Sequence, residues 1–255
     1  MEKDKFLFNS DEEFEFFIGH TQAYINMQNE ISKVVKFAHP EYLIEFGSGS
    51  GKTSIRLAKE NPRTSIVAVD LREKMTNISK DKSKKNRIKN VTFVNGDLTK
   101  LDNYNLKNCN MVLLAYSFKY IQDPIETKFD FLSNLYKRMQ KGAYLVIGDT
   151  FIDPNAPKAE IRQKIQDRYY DSSKDAFWNN LNGLTDEDVK YALDAQALNR
   201  EHTAEQVERG VNRDGVYYVS REWLRESAEK IGFKVVLGER FDSLSDMLFV
   251  LDKEL

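Results

Sequence analysis

Between residues 11 and 38, apolar Phe14, Ile18, Ile25, Ile31, Val34, Val35 and Phe37 recur at spacings compatible with one helix face, which predicts one or two amphipathic helices at the start of the chain. The period then changes. YLIEF (42–46), SIVAVD (65–70), VTFVNGD (91–97), NMVLLAY (110–116) and AYLVIGD (143–149) are short runs of β-branched and aliphatic residues that read as strands buried on both faces. TSIRLAKEN, REKMTNISKDK and FDFLSNLYKRMQ separate them, the last with Phe131, Leu132, Leu135 and Met139 on one face. Alternation of strand and helix predicts an α/β fold with a parallel sheet. After Asp149 the rhythm stops. Residues 151–217 carry no convincing strand but have helix-start signals at Thr185-Asp186-Glu187-Asp188 and Thr203-Ala204-Glu205-Gln206, so they read as a helical insertion. The pattern closes with the helix SREWLRESAEKIGF, which has Leu224, Ala228 and Ile231 on one face and Gly232 as its stop, followed by the strands FKVVLGE and DMLFVLDKE.

Composition narrows the class. The 255 residues are 41% hydrophobic and 31% charged, enough apolar material for a core and too much for global disorder. A net charge of −2 gives no overall field to hold a polyanion, which argues against dedicated nucleic-acid binding. The single Cys109 excludes intramolecular disulfides and multi-cysteine metal sites, and His20, His39 and His202 never fall at metal-ligand spacing, so no metal is expected. The N-terminus is acidic and lacks an apolar signal core, and no run reaches the ~18 apolar residues of a membrane span, so a cytoplasmic protein without membrane attachment is expected.

The candidate chemistry lies in Glu45-Phe46-Gly47-Ser48-Gly49-Ser50-Gly51-Lys52-Thr53, where the first predicted strand hands over to a helix. Glycines there allow a sharp turn and close ligand approach, and the helix N-terminus favours a carboxylate or phosphate. A nucleoside-triphosphate loop needs G-x-x-x-x-G-K-[ST], but the residue five before Gly51 is Phe46. A dinucleotide fingerprint needs G-x-G-x-x-G; Gly47, Gly49 and Gly51 give G-x-G-x-G, although Asp70 stands at a suitable ribose-binding distance. A third reading takes an acidic residue, one intervening residue and then G-x-G-x-G, which Glu45 through Gly51 match without a gap.

In that third reading the chain resembles the class I S-adenosylmethionine-dependent methyltransferases. VAVDLREKM (67–75) is similar to the family's second motif, VNGDLTKL (94–101) to its third, NMVLLAYSFKYIQD (110–123) to its fourth, and LYKRMQKGAYLVIGD (135–149) to the helix, turn and strand that follow. The resemblance implies a Rossmann-like seven-stranded sheet, parallel except for an antiparallel last strand. It implies S-adenosylmethionine as methyl donor and S-adenosylhomocysteine as product. It assigns Glu45, Gly47, Ser48, Gly49 and Gly51 to the methionine tail, Asp70 to the ribose hydroxyls, Leu71 to an adenine face, Asp97 to the adenine amino group and Leu98 to the ring edge. Backbone at Ala115 and Tyr116 also approaches the tail. The fourth motif departs from the family where Asn110 and Lys119 replace the frequent Asp and His, so no catalytic residue is assigned.

The expected organisation is one methyltransferase domain: helices over 1–40, a cofactor-binding core over 41–150, a lid over 151–217 and a closing helix with two strands over 218–255. Segments placed like the lid commonly cover the acceptor in the family. His20, Lys119, Tyr120, Tyr169 and Trp178 are the candidate acceptor contacts, and the aromatic content of the lid suits an apolar or planar small molecule. Methyl transfer to a small-molecule acceptor by in-line displacement is therefore the expected function. RNA or protein as acceptor, and cofactor binding without transfer, are the alternatives; a homodimer is compatible with the sequence.

Overall fold

The computed structural model describes residues 22–122, 125–160, 216–240 and 246–254. Helix α1 (Gln22–Ala38) precedes β1 (Tyr42–Phe46), α2 (Lys52–Glu60), β2 (Ser65–Asp70), α3 (Glu73–Lys85), β3 (Val91–Asn95), β4 (Met111–Ala115), α4 (Ile125–Arg138), β5 (Tyr144–Thr150), α5 (Arg221–Ile231), β6 (Lys234–Arg240) and β7 (Asp246–Asp252). The strands form one sheet in the order β3-β2-β1-β4-β5-β7-β6. β7 runs antiparallel to both of its neighbours and the first five strands are mutually parallel. This is the predicted Rossmann-like α/β sheet, with its last strand reversed.

The two-residue alternation of a strand sorts side chains into two cores. Ile44, Phe46, Val112, Leu114, Leu145, Ile147, Phe249 and Leu251 pack on one face with Phe131, Leu132 and Leu135 of α4 and Leu224 and Ala228 of α5. Leu43, Met111, Leu113, Val146, Leu248 and Val250 pack on the other with Met27, Ile31 and Val35 of α1 and Leu57 and Ala58 of α2. Helices on both faces explain why the central strands read as unbroken apolar runs.

Two sequence expectations fail here, one through the position of a strand in the sheet and one through the face of a helix. β3 is an edge strand, and only Phe93 of its five residues is buried, so it is not covered on both sides. Phe37 shares the helical spacing of Val34 but is 87% exposed: it lies about 200° round α1 from the buried Val35, on the side turned away from the sheet, while Ala38 beyond it still packs on the core. At the opposite edge, a bulge between Val235 and Leu237 turns Val236 outward. The helix-start signals at 185–188 and 203–206 lie outside the described residues.

α5 ends as the sequence foretells. Gly232 adopts φ +114 and its N–H donates to the carbonyl of Ala228 at 3.1 Å, while Ser220 caps the other end by accepting the Trp223 N–H at 3.0 Å.

Leu132 is fully buried between α4 and the sheet, so Leu132→Ala is expected to cost about 2–5 kcal/mol in urea unfolding. Phe37→Ser should stay within about 0.5 kcal/mol of wild type, and a comparable loss at both positions would contradict the assigned helix faces.

Candidate cofactor site at the carboxyl edge

All five parallel strands point their carboxyl ends at one edge, where the strand order turns back on either side of β1, the place where open α/β sheets bind ligands. β1 runs there into Gly47–Gly51. Gly47 and Gly49 have φ +72 and +53, a region in which a Cβ costs about 1–2 kcal/mol. At Gly47 space is also closed, since a Cβ would stand 2.3 Å from the Ser117 Cβ; at Gly49 it would meet nothing within 4 Å. The loop is thus packed on its β4 side and open at its centre.

Hydrogen bonds fix this loop to its neighbours. The N–H groups of Gly47 and Ser48 donate to the Val69 carbonyl at 2.8 and 3.0 Å. The Gly49 N–H donates to Asp70 Oδ2 at 2.7 Å, and the Ser79 hydroxyl of α3 donates to the Gly49 carbonyl at 3.0 Å. From β4, the Ser117 hydroxyl donates to the Phe46 carbonyl at 2.7 Å. Beneath the loop, Glu45 is 1% exposed and accepts the hydroxyl of Ser54 in the first turn of α2. Burial pushes its carboxyl up to about 7; the Ser54 hydrogen bond opposes this and the charge of Asp70 adds to it.

Asp70, at the end of β2, is almost buried, and its Oδ1 accepts the Arg72 N–H at 2.9 Å. An ionised carboxylate offers about four lone-pair sites, so two backbone bonds leave acceptor capacity. Leu71 beside it is 70% exposed. Asn95 of β3 props this turn by donating to the carbonyls of Asp70 and Leu71 at 3.1 and 2.9 Å. The Gly96 N–H donates to the Asp70 carbonyl at 2.9 Å, which brings Asp97 alongside. Asp97 Oδ1 accepts the N–H and hydroxyl of Thr99, its carbonyl accepts the Tyr104 hydroxyl at 2.8 Å, and Leu98 is half-buried against the core.

On the other flank, Ala115 ends β4 and Tyr116 turns the chain with φ +55, unusual for a residue with a Cβ. The Tyr116 N–H donates to the Gly148 carbonyl at 2.6 Å, and its ring stacks on Tyr24 of α1 at 5.8 Å. A 3₁₀ turn, Phe118–Tyr120, follows. In it Lys119 is buried and pairs with Asp149 at 2.8 Å, whereas Tyr120 is 51% exposed. The buried ammonium of Lys128 on α4 donates to the carbonyls of Phe118 and Ile121 and holds the turn from below.

The edge therefore brings together Glu45, Gly47, Ser48, Gly49, Gly51, Asp70, Leu71, Asp97, Leu98, Ala115 and Tyr116. His20, Tyr169 and Trp178 lie outside the described residues. Sequence reasoning missed Ser54, Ser79, Ser117 and Asn95, whose partners are 9 to 71 residues away, and it gave Asp149 no role beyond ending a strand. No motif signals such pairings. Among the described residues no group of His, Cys, Asp and Glu could hold a metal ion, and no helix is long and apolar enough to cross a membrane.

This arrangement is that of the class I methyltransferase fold. The family model described as a methyltransferase domain matches residues 41–196, and the chain belongs to that family, within the S-adenosylmethionine-dependent methyltransferases. A carboxy-S-adenosyl-L-methionine synthase from Nautilia profundicola is 23% identical over 59% of this chain and 60% of its own length. A tRNA (guanine-N(7)-)-methyltransferase from Clostridioides difficile is 30% identical over 29% of this chain and 35% of its own. The chain spans less than two thirds of the curated relatives it matches. Among solved structures, an O-methyltransferase family protein from Burkholderia thailandensis superposes with a TM-score of 0.62 at 12% identity, over 95% of this chain and 59% of that one.

Gly47→Ala is expected to destabilise the protein by more than the about 1–2 kcal/mol of backbone strain expected for Gly49→Ala, because only Gly47 also meets Ser117. Equal losses in urea unfolding would contradict the packed and open sides of the loop.

Glu45 supplies a test in pH. Its carboxyl is raised from 4.5 to about 7 by burial, so the neutral form is the one the fold favours. That contribution is complete below pH 4.5 and disappears as pH rises through 7. Glu45→Gln cannot ionise and should gain on wild type by about 3 kcal/mol between pH 4.5 and 8. A pH-independent difference between the two would refute it.

Proposed function

We propose that the chain transfers a methyl group from S-adenosylmethionine to a small-molecule acceptor by in-line displacement. The observation that carries this reading is the glycine loop held open at Gly49 between Asp70 and Ser117 at the carboxyl edge. Its fit to the methyl donor can be judged group by group. Asp70 retains acceptor capacity for a cis-diol, Leu71 offers an exposed apolar face for adenine, and Asp97 with Leu98 stands next along the edge for the ring's polar rim. Glu45, Gly47, Ser48, Gly49 and Gly51 take the methionine tail together with backbone at Ala115 and Tyr116.

When bound, the donor supplies a methyl group on a positively charged sulfur that becomes neutral on transfer. The chain's contribution is to fix the reacting partners in line. Orientation of this kind is worth on the order of 7–11 kcal/mol, so a general base is needed only for an acceptor that arrives protonated. Lys119 and Tyr120, with His20, Tyr169 and Trp178, are the acceptor-side candidates. An RNA acceptor is the second reading. It is favoured by the tRNA-modifying relative and by the basic last turn of α3 (Lys82, Lys84 and Lys85), and salt-sensitive RNA retention would identify it.

Calorimetry with S-adenosylmethionine and S-adenosylhomocysteine tests the proposal. Wild type should bind both, and Asp70→Ala should weaken each by about 1.5–3 kcal/mol through lost charge-assisted hydrogen bonds and a slackened Gly49 turn. Unchanged affinity in the variant would remove Asp70 from the site.

A further inference from the structure

On the cofactor reading above, carried over from the family resemblance, the site divides into halves. With adenine toward β3, ribose at β2 and the tail between β1 and β4, the acceptor side is the flank formed by β4 and β5. That flank contains a buried ion pair that the cofactor reading assigns to no part of the ligand. The Lys119 ammonium donates to Asp149 Oδ1 at 2.8 Å and to the Tyr116 carbonyl at 3.1 Å, and it lies 5.0 and 5.2 Å from the ring centroids of Tyr116 and Tyr120. Asp149, at the end of β5, also accepts the N–H groups of Lys119 and Thr150 at 3.0 and 2.7 Å. Both side chains are buried, at 8% and 1% exposure. From the far end of the chain, the Tyr217 N–H donates to the Lys119 carbonyl at 2.8 Å.

Two physical facts make this pair more than packing. Tyr116 adopts the left-handed conformation at the end of β4 (φ +55), and such strain persists only where its surroundings over-determine it; here the Gly148 carbonyl, the Tyr24 ring and Lys119 do so. A buried ammonium at this flank is also a cation beside a site whose ligand is cationic before transfer and loses that charge after it. We infer that Lys119 and Asp149 act together as positioning residues on the acceptor flank: Lys119 fixes the Tyr116 turn, and Asp149 cancels the positive charge that would otherwise discriminate against a sulfonium methyl donor in favour of its neutral product.

This inference rests on the cofactor reading above and predicts a charge-specific effect that loss of structure does not produce. With S-adenosylmethionine and S-adenosylhomocysteine as paired calorimetric probes, Asp149→Asn removes one negative charge from the flank and should shift the preference toward S-adenosylhomocysteine. The expected size is about tenfold, the scale of one unbalanced charge acting through a partly desolvated cleft. Lys119→Met leaves an unbalanced carboxylate and should shift the preference the opposite way by a similar factor. The double variant should return the ratio to within about twofold of wild type even if both affinities fall. Removing one partner of a buried pair is costly to folding; if Asp149→Asn does not fold, Lys119→Met against the double variant carries the same comparison. Parallel changes in both affinities across the variants would overturn the inference and leave the cofactor site standing. A wild-type chain that binds neither compound would overturn both.

Discussion

The site depends first on one carboxylate. Asp70 ends β2 and accepts the Gly49 N–H on one oxygen and the Arg72 N–H on the other, so a single side chain sets the curvature of the glycine loop and the start of α3. The loop cannot relax toward β4 either, because Ser117 closes against Gly47 and ties down the Phe46 carbonyl. Both constraints exist only because β1 lies between β2 and β4 in a parallel sheet, with all three carboxyl ends at one edge. Sheet order is therefore the cause, and the shape of the loop its consequence.

Around that loop the polar groups divide by burial. Glu45 is sealed beneath it and is pushed toward its neutral form by burial, whereas Asp70 is braced by the N–H groups of Gly49 and Arg72. Two carboxylates close in space thus serve different partners, one the Ser54 hydroxyl and the other the backbone of the glycine loop and of the turn into α3. At the ends of β4 and β5 two buried lysines do comparable structural work: Lys128 grips the carbonyls of Phe118 and Ile121 around the 3₁₀ turn, and Lys119 ties the same turn to β5.

Much of this was legible in the sequence. YLIEF and SIVAVD give β1 and β2 residue for residue, and the G-x-G-x-G loop falls where strand gives way to helix, because local patterns carry the period of an element and the need for positive φ. Coverage was not legible. Nothing in VTFVN says that β3 lies at an edge, and the three-residue step from Val34 to Phe37 does not reveal that Val34 already sits at the margin of the buried stripe, so that the step leads off it. The pairing of Lys119 with Asp149 was hidden for a related reason: thirty residues separate them, and read singly Lys119 is a candidate acceptor contact and Asp149 a strand end until the topology seats them in one buried spot. Ser54, Ser79 and Ser117 were equally silent, since a serine has no signature until its acceptor is known.

The reversed strand has a consequence for how the chain matures. β7 sits between β5 and β6, so β6 joins the sheet only through a strand that follows it in the chain. Until that ladder closes, β5 offers a raw edge of unpaired backbone groups beside the nascent acceptor flank, a template for mispairing. The protein thus completes its barrier against aggregation and the support beneath Asp149 in the same late event.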